Sequence, residues 1–391
     1  MSTSYDYARK KCLSPIPIAV ALRENEAVIP LGKFHGVKVG TEFICPAHPE
    51  VHLVAHAVDA ARCKARVSPG AFDPGCEVYF SRWVSSANND KKKKKKKKFR
   101  VLLGPGLDVE FREHLQYFLS EKISGVIEVA ADLGGEHTDF ILRRRGVAGV
   151  DVVCPRADQS GDPLPGLSVD DPEIKEQAAR TAAALAHVFR FFQIEDLASR
   201  FRSREFSVSM WSACPKQRLE SGVVVQEEER VRLQFHNIGE RDLYFVILLL
   251  GTGFEVRKVY PEDRNLKEMR PREIASADFR ADLPKELDGK GPYRDVLRVV
   301  VFDKPYVPDV GYLCLPLIWK TLDTAPAGDG IDSSDDGGKE RRITLGDKCD
   351  HTWSIEDMEI FTERHKRQQQ QETPVSESQA APRGLFGCII S

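Results

Sequence analysis

Between Val231 and Pro261 the apolar and polar positions change rhythm three times. Val231, Leu233 and Phe235 alternate with Arg232, Gln234 and His236, the period of a strand with one buried face. Asn237 to Asp242 is a polar turn around Gly239. Leu243 to Leu250 is an unbroken apolar run, too short to cross a bilayer and rich in strand formers, which predicts a central strand. Gly251-Thr252-Gly253 turns the chain, and Phe254 and Val256 alternate with Glu255 and Arg257 until Tyr260-Pro261. The pattern predicts three consecutive antiparallel strands in the core of a β-sandwich.

The same reading divides the whole chain. Residues 1–15 are an N-terminal tail. Residues 16–84 form a small all-β module, a barrel or sandwich: Ile16, Ile18, Val20 and Leu22 alternate, with Pro15 and Pro17 marking an edge. Val37, Val39, Thr41, Phe43 and Cys45 then share one face, and Gly36 and Gly40 supply turns or bulges. Val51, Leu53, Ala55 and Ala57 make another strand face, followed by Cys63, Ala65 and Val67, and by Val78 and Phe80. Residues 85–98 are a Lys-rich linker. Residues 99–206 are an α/β segment, with strands at Phe99–Leu103, Val126–Ala130 and Phe140–Leu142 and a helix over Leu107–Lys122. Its second, longer helix has Asp171 as N-cap, Pro172 at the first helical position and Glu173 in the first turn. Ile174, Ala178, Thr181, Leu185, Val188, Phe189 and Phe192 mark its buried face, and its pattern extends past Glu195 toward Arg204. Residues 207–362 are the β-sandwich, with strands at Ala277–Leu283, Val296–Phe302 and Tyr312–Trp319 and a disordered insert at about 324–340. Trp353–Phe361 returns as its last strand, a short helix being the competing reading. Residues 363–391 are a disordered tail. The fold class is α+β, in several domains.

Composition adds little to this. Apolar and charged residues make up 41% and 30% of the chain, as in ordinary globular proteins, and the net charge of −2 gives no global pull toward nucleic acid. Nine cysteines, scattered and without a CxxC pair, together with a start that has no apolar segment, point to reduced cytosolic thiols. The lysine run Lys91 to Lys98 repels itself and is read as a solvated linker; an arm for acidic lipid or nucleic acid is the alternative, with nucleic acid the weaker one.

The sharpest chemical signal is Cys388-Ile389-Ile390-Ser391, a prenylation box whose terminal Ser favours farnesyl and implies a prenyltransferase as partner. One lipid anchors weakly, so a second, basic signal is expected at the cytoplasmic membrane surface. Its candidates are Lys91 to Lys98, Arg364, Lys366, Arg367 and Arg383. Cys45, His48, His52 and His56 have zinc-like spacing, but one cysteine without a partner pair makes surface histidines of a hairpin the preferred reading, and no metal is assigned. Gly104-Pro105-Gly106 and Asp132-Leu133-Gly134-Gly135 resemble pieces of phosphate loops but lack the accompanying lysine and hydroxyl, so both are read as turns. No GxSxG occurs, and the one His-Gly pair, His35-Gly36, falls in a hairpin. No catalytic residue and no cofactor is assigned.

Two stretches carry a family resemblance. Leu243-Tyr244, Phe254, Val256, Tyr260-Pro261, Leu283-Pro284, Gly291, Asp295, Leu297 and Arg298 stand where the C-terminal sandwich of fungal caspase-like, metacaspase-related proteins has its landmarks. Gly32, His35, Gly36, Gly40 and Phe43 are similar to a glycine–histidine pattern in the small β module of the same proteins. The resemblance spans about residues 16–362 and covers their non-catalytic half. It implies an interaction or regulatory protein with an unnamed protein partner, farnesylated and membrane-anchored. The alternatives are a caspase-like cysteine endopeptidase whose catalytic domain lies upstream of Met1, and a nucleic-acid-binding protein using Lys91 to Lys98.

Overall fold

Leu243–Leu250 pairs antiparallel with Tyr293–Phe302, from Tyr244 opposite Phe302 to Leu250 opposite Val296. Both runs are continuous because both faces are covered. Val246, Leu248, Val296, Val300 and Phe302 belong to one apolar core, whereas Phe245, Ile247, Leu297, Val299 and Val301 belong to another. This is a computed structural model, and it describes residues 18–19, 21–23, 26–45, 48–67, 76–82, 99–123, 127–130, 138–146, 149–153, 167–197, 205–212, 216–262, 266–287, 291–303, 310–319 and 353–364.

The first sheet comprises β1 (Ile18–Ala19), β2 (Ala21–Arg23), β3 (Glu26–Ile29), β4 (Glu42–Cys45), β5 (His48–Val58), β6 (Cys63–Val67) and β7 (Glu77–Arg82). Its order is β1-β7-β4-β5-β6-β3-β2, so the consecutive segments β1 and β2 bridge its two edges and the sheet curls on itself. A mixed sheet follows, of β8 (Phe99–Leu103), β9 (Ile127–Ala130), β10 (Phe140–Arg145), β11 (Gly149–Val153) and β12 (Ser168–Asp170), with helices α1 (Val109–Ile123) and α2 (Ile174–Glu195). The C-terminal half has two sheets. One holds β13 (Phe206–Ser212), β14 (Gln217–Leu219), β16 (Arg230–Asn237) and β20 (Ile274–Arg280). The other holds β15 (Val223–Gln226), β17 (Leu243–Leu250), β18 (Val256–Tyr260), β19 (Lys267–Met269), β21 (Tyr293–Phe302) and β22 (Trp353–Glu363). Among the described residues the chain is therefore mostly β, with two long helices, an α+β protein.

Helix α2 is the hub. From Thr181 to Phe192 every position is buried, not one face alone. Phe189 and Phe192 meet Phe99 of the mixed sheet, Arg190 Nη2 donates to His35 O in the connection between β3 and β4 (3.0 Å), and His187 Nε2 lies 2.9 Å from Phe254 O. Its C-terminus is closed by a residue on β21. Arg298, 2% exposed, donates to the carbonyls of Ile194 and Glu195 (the latter at 2.7 Å) and forks onto Asp357 at 2.8 and 2.7 Å. Arg294 adds ion pairs to Glu195 and Glu359, both at 2.7 Å. A cation there satisfies orphan carbonyls and opposes the helix dipole.

Several expectations shift. β16 and β17 are not neighbours in one sheet: the chain passes from one sheet to the other after Asn237, and Phe235 and Phe245 meet at a tilt in a core that both sheets share, with ring centroids 4.5 Å apart. Val39 is 57% exposed, because a 3-10 turn at Lys33–His35 and left-handed Gly36 (φ 79°) interrupt the expected strand face. Ala57 leaves the buried face through an irregularity after Ala55. Helix α2 starts at Ile174, with Asp171 Oδ1 accepting from the Glu173 N–H at 2.9 Å just before it, and stops at Glu195. Tyr312–Trp319 is not a strand: it holds the end of a 3-10 turn, a single bridge from Leu315 to Val256, and helical backbone at Ile318 and Trp319. Trp353–Phe361 lies within β22, which runs between β15 and β21.

Replacing Arg298 with methionine keeps its length but leaves two helix carbonyls and Asp357 without their donor. Chemical denaturation of Arg298→Met is expected to show a loss of about 3 kcal/mol. A loss below about 1 kcal/mol, the range of an exposed pair, would remove Arg298 from this role.

Candidate functional site: a cleft between two open sheet edges

Strands β18 and β20 each end a sheet. Among the described residues β20 has no strand on its outer side, and β18 has none beyond the bridge from Val256 to Leu315. The two open edges lie on the same side of the core. Between them runs a cleft of about 300 Å³, with Leu249, Val259, Phe279 and Leu297 among its apolar walls. A second recess of about 540 Å³ continues it and shares Val259, Glu262, Asp278 and Phe279.

At one end of this cleft the inward positions turn polar. Asp295 follows the parity of Leu297, Val299 and Val301, which face the core between the sheets. Thr362 follows Ile360 in the same way, and both Asp295 and Thr362 line the cleft. The Asp295 carboxylate accepts hydrogen bonds from the Thr252 N–H (2.9 Å) and hydroxyl (3.1 Å). Burial pushes its acid up to about 6; the Thr252 bonds oppose this, Glu255 adds to it and Arg257 opposes it. Thr362 is 0% exposed and its hydroxyl has no hydrogen-bond partner. The rim is charged: Arg232 forks onto Asp278 at 2.6 and 2.8 Å, Arg280 pairs with Asp282 at 2.7 Å, and Lys258 Nζ donates to Glu262 O at 3.3 Å. The Arg232 hydrogen bond holds the Asp278 carboxyl below the ordinary range. Such a place can bind an extended or polar group.

The residues singled out in the sequence are dispersed. Cys388, Ile389, Ile390, Ser391, Lys91, Lys98, Lys366, Arg367 and Arg383 lie outside the described residues, as does Asp132–Gly135. Arg364 is described: its guanidinium donates to Leu287 O (2.7 Å) and Pro284 O (2.9 Å) and pairs with Glu227 at 3.4 Å, so its charge is held against the fold. Cys45 points into the core of the first sheet while His52 is exposed on the outer face, and His56 pairs with Glu26 at 3.0 Å. Among the described residues no three His, Cys, Asp or Glu side chains are arranged to hold a metal. Gly104 N donates to Leu142 O at 2.8 Å and Gly106 is left-handed, which makes that loop a tight turn. His35 is buried, and its Nδ1 accepts from the Gly32 N–H at 3.1 Å. No described helix is long and apolar enough to cross a membrane. Sequence reasoning missed Asp295 and Thr362 as site residues. The available signal was parity: Asp295 is an acid on the face of β21 that Leu297, Val299 and Val301 share.

No family model matches the chain, and no curated protein matches it. Among solved structures it is similar to the PapD-like domain 7 of human CEP192, with 7% identity over 43% of this chain and 92% of that one, at a TM-score of 0.18. It is also similar to a crustacean hemolymph-type prophenoloxidase, with 11% identity over 55% of this chain and 43% of that one, at a TM-score of 0.19. Scores this low carry no argument about fold or function.

Two buried groups give opposite pH slopes. Asp295, raised from 3.8 to about 6, holds its proton longer in the folded state, so its contribution weakens stability as pH rises from about 4 to 6. Burial lowers His187 from 6.5 to about 4, so the folded state sheds its proton first and stability rises from about pH 4 to 6.5. Denaturation midpoints of the natural chain should therefore change little across this window, whereas Asp295→Asn should climb steeply. Parallel profiles for the two proteins would show that Asp295 ionises normally.

Proposed function

We propose that this protein is a non-catalytic docking protein, related to the accessory half of caspase-like proteins and held on a cytoplasmic membrane face by a farnesyl group on Cys388. Its two C-terminal sheets act as a β-sandwich that presents a binding cleft. The observation that supports the docking part is a cleft with apolar walls lined by β18 and β20, each the last strand of its sheet among the described residues. Unpaired strand edges are costly to expose and natural proteins normally block them. The charged rim at Arg232–Asp278 and Arg280–Asp282 keeps them soluble while leaving the floor between them open. The box Cys388-Ile389-Ile390-Ser391 supports the anchor, with the basic residues Lys91 to Lys98, Lys366, Arg367 and Arg383 as its second signal.

Metabolic labelling with a farnesyl analogue tests the anchor. The natural chain should incorporate label and sediment with membranes. Cys388→Ser should incorporate none, and its membrane-bound fraction should fall about tenfold or more, since a single chain supplies most of the hydrophobic attachment. Equal labelling or equal sedimentation of the two proteins would end this part of the reading.

A further inference from the structure

The outer side of β20 can be read residue by residue. The Ala281 N–H donates to Glu229 O at 2.9 Å, and the Asn237 N–H donates to Glu273 O at 3.0 Å, so the odd-numbered residues of this stretch bond toward β16. Hydrogen bonding alternates along an antiparallel strand, so Ile274, Ser276, Asp278 and Arg280 direct their N–H and C=O groups the other way. Among the described residues no strand and no backbone group meets these four on that side. This sets β20 apart from β18, where Val256 bonds both ways with Leu315.

The same four residues carry the exposed side chains of the strand, and their charges select a partner. A second copy could pair antiparallel about a two-fold axis in three registers that set both Asp278 and Arg280 opposite residues of the strand Ile274–Arg280. Centred on Ala277, the axis puts Asp278 opposite Ser276 and Arg280 opposite Ile274. Centred on Asp278, it puts that carboxylate opposite itself. Centred on Phe279, it puts Asp278 opposite Arg280 twice, once on each side of the axis. Only this last register pairs unlike charges directly. It also sets Ser276 opposite Asp282, a hydroxyl donor facing a carboxylate. Arg232 already forks onto Asp278, and Arg280 already pairs with Asp282, so each new contact joins two existing ion pairs into one network. Charged residues on an edge normally repel a second strand; here they fit one.

We propose that β20 pairs with β20 of a second copy of this chain, antiparallel and centred on Phe279, so that two four-stranded sheets become continuous across a dimer. Backbone hydrogen bonds from the outward groups supply affinity, and the two Asp278–Arg280 pairs fix the register. The odd-numbered side chains lie on the opposite face. Phe279 and Ala281 line the cleft there, so their counterparts from the second copy cover its apolar walls at Leu249 and Val259. This inference rests on the docking reading above and names the occupant of the same cleft.

Sedimentation velocity of the full chain from about 1 to 100 µM, a range that brackets a Kd of order 10 µM, tests the dimer. The natural chain should pass from monomer to dimer as concentration rises. Asp278→Arg and Arg280→Asp each set like charges opposite one another twice, so each alone should raise Kd about tenfold or more. An equimolar mixture of the two variants should dimerise as the natural chain does, because every opposing pair then has unlike charges. If a variant misfolds by circular dichroism, hydrogen exchange of the natural chain decides: the amides of Ser276, Asp278 and Arg280 should be unprotected when dilute and protected when concentrated. A natural chain that stays monomeric, variants that dimerise as well as it does, or a mixture of folded variants that stays monomeric overturns this inference and leaves the cleft to another partner. Protection of those three amides in the dilute monomer means that the chain covers its own edge, which overturns the docking reading as well.

Discussion

The capping of α2 by Arg298 is the contact on which the arrangement of the chain depends. An exposed helix terminus is satisfied by water, but this one ends against a sheet, where its last carbonyls need protein donors. Arg298 supplies them from the middle of β21 and forks onto Asp357 of β22. One guanidinium therefore joins the helix to two strands. Its planar fork suits this in a way a lysine ammonium does not, because carbonyls and carboxylate lie in different directions. Once the helix end is fixed, the rest of α2 is committed to burial, and polar residues on it become internal. His187 then stays neutral near pH 7, and burial lowers Arg190 to about 9 although its Nη2 is bonded to His35 O.

The second joint is the turn Gly32-Lys33-Phe34-His35-Gly36. Phe34 is completely buried and meets the edges of Phe302 and Trp353, so the first sheet inserts an aromatic ring beside the C-terminal strands. Each member of that turn has a mechanical reason. A Cβ on Gly32 would lie 2.4 Å from Asp59 O, His35 accepts from the Gly32 N–H, and Gly36 has the left-handed φ that ends the turn. The spacing of Gly32, His35 and Gly36 is thus explained by packing between modules.

Most strands were legible in the sequence because their apolar rhythm reports burial directly. Leu243–Leu250 and Tyr293–Phe302 announce coverage on both faces, and they are covered on both faces. Pairing was less legible. Val231–His236 and Leu243–Leu250 are separated by a short polar turn, which suits a hairpin and a sheet-to-sheet crossing equally well; alternation does not encode which neighbour a strand chooses. The Tyr312–Trp319 stretch failed for another reason: Leu313 and Ile318 are buried beside a 3-10 turn and its other apolar residues are half-buried, so hydrophobicity persists without a strand's period. For α2 the reading of one apolar face fell short because alanines can be buried on any side, and Ala182, Ala183, Ala184 and Ala186 all are.

The cleft was illegible for a related reason: its residues are unremarkable one at a time. Asp295 and Arg298 both interrupt the apolar run of β21, yet the two have opposite parity. Arg298 faces α2, where two carbonyls and a carboxylate satisfy it. Asp295 lies on the other face, where the Thr252 N–H and hydroxyl donate to it and burial keeps its acid near 6. A closed core would favour leucine at both Asp295 and Thr362, since a buried hydroxyl without a partner costs about 1–3 kcal/mol. The polar end therefore spends stability beside the last described strand of each sheet. Stability given up where a chain is also open is the pattern expected of a binding site, and its chemistry is set by what those two side chains lack.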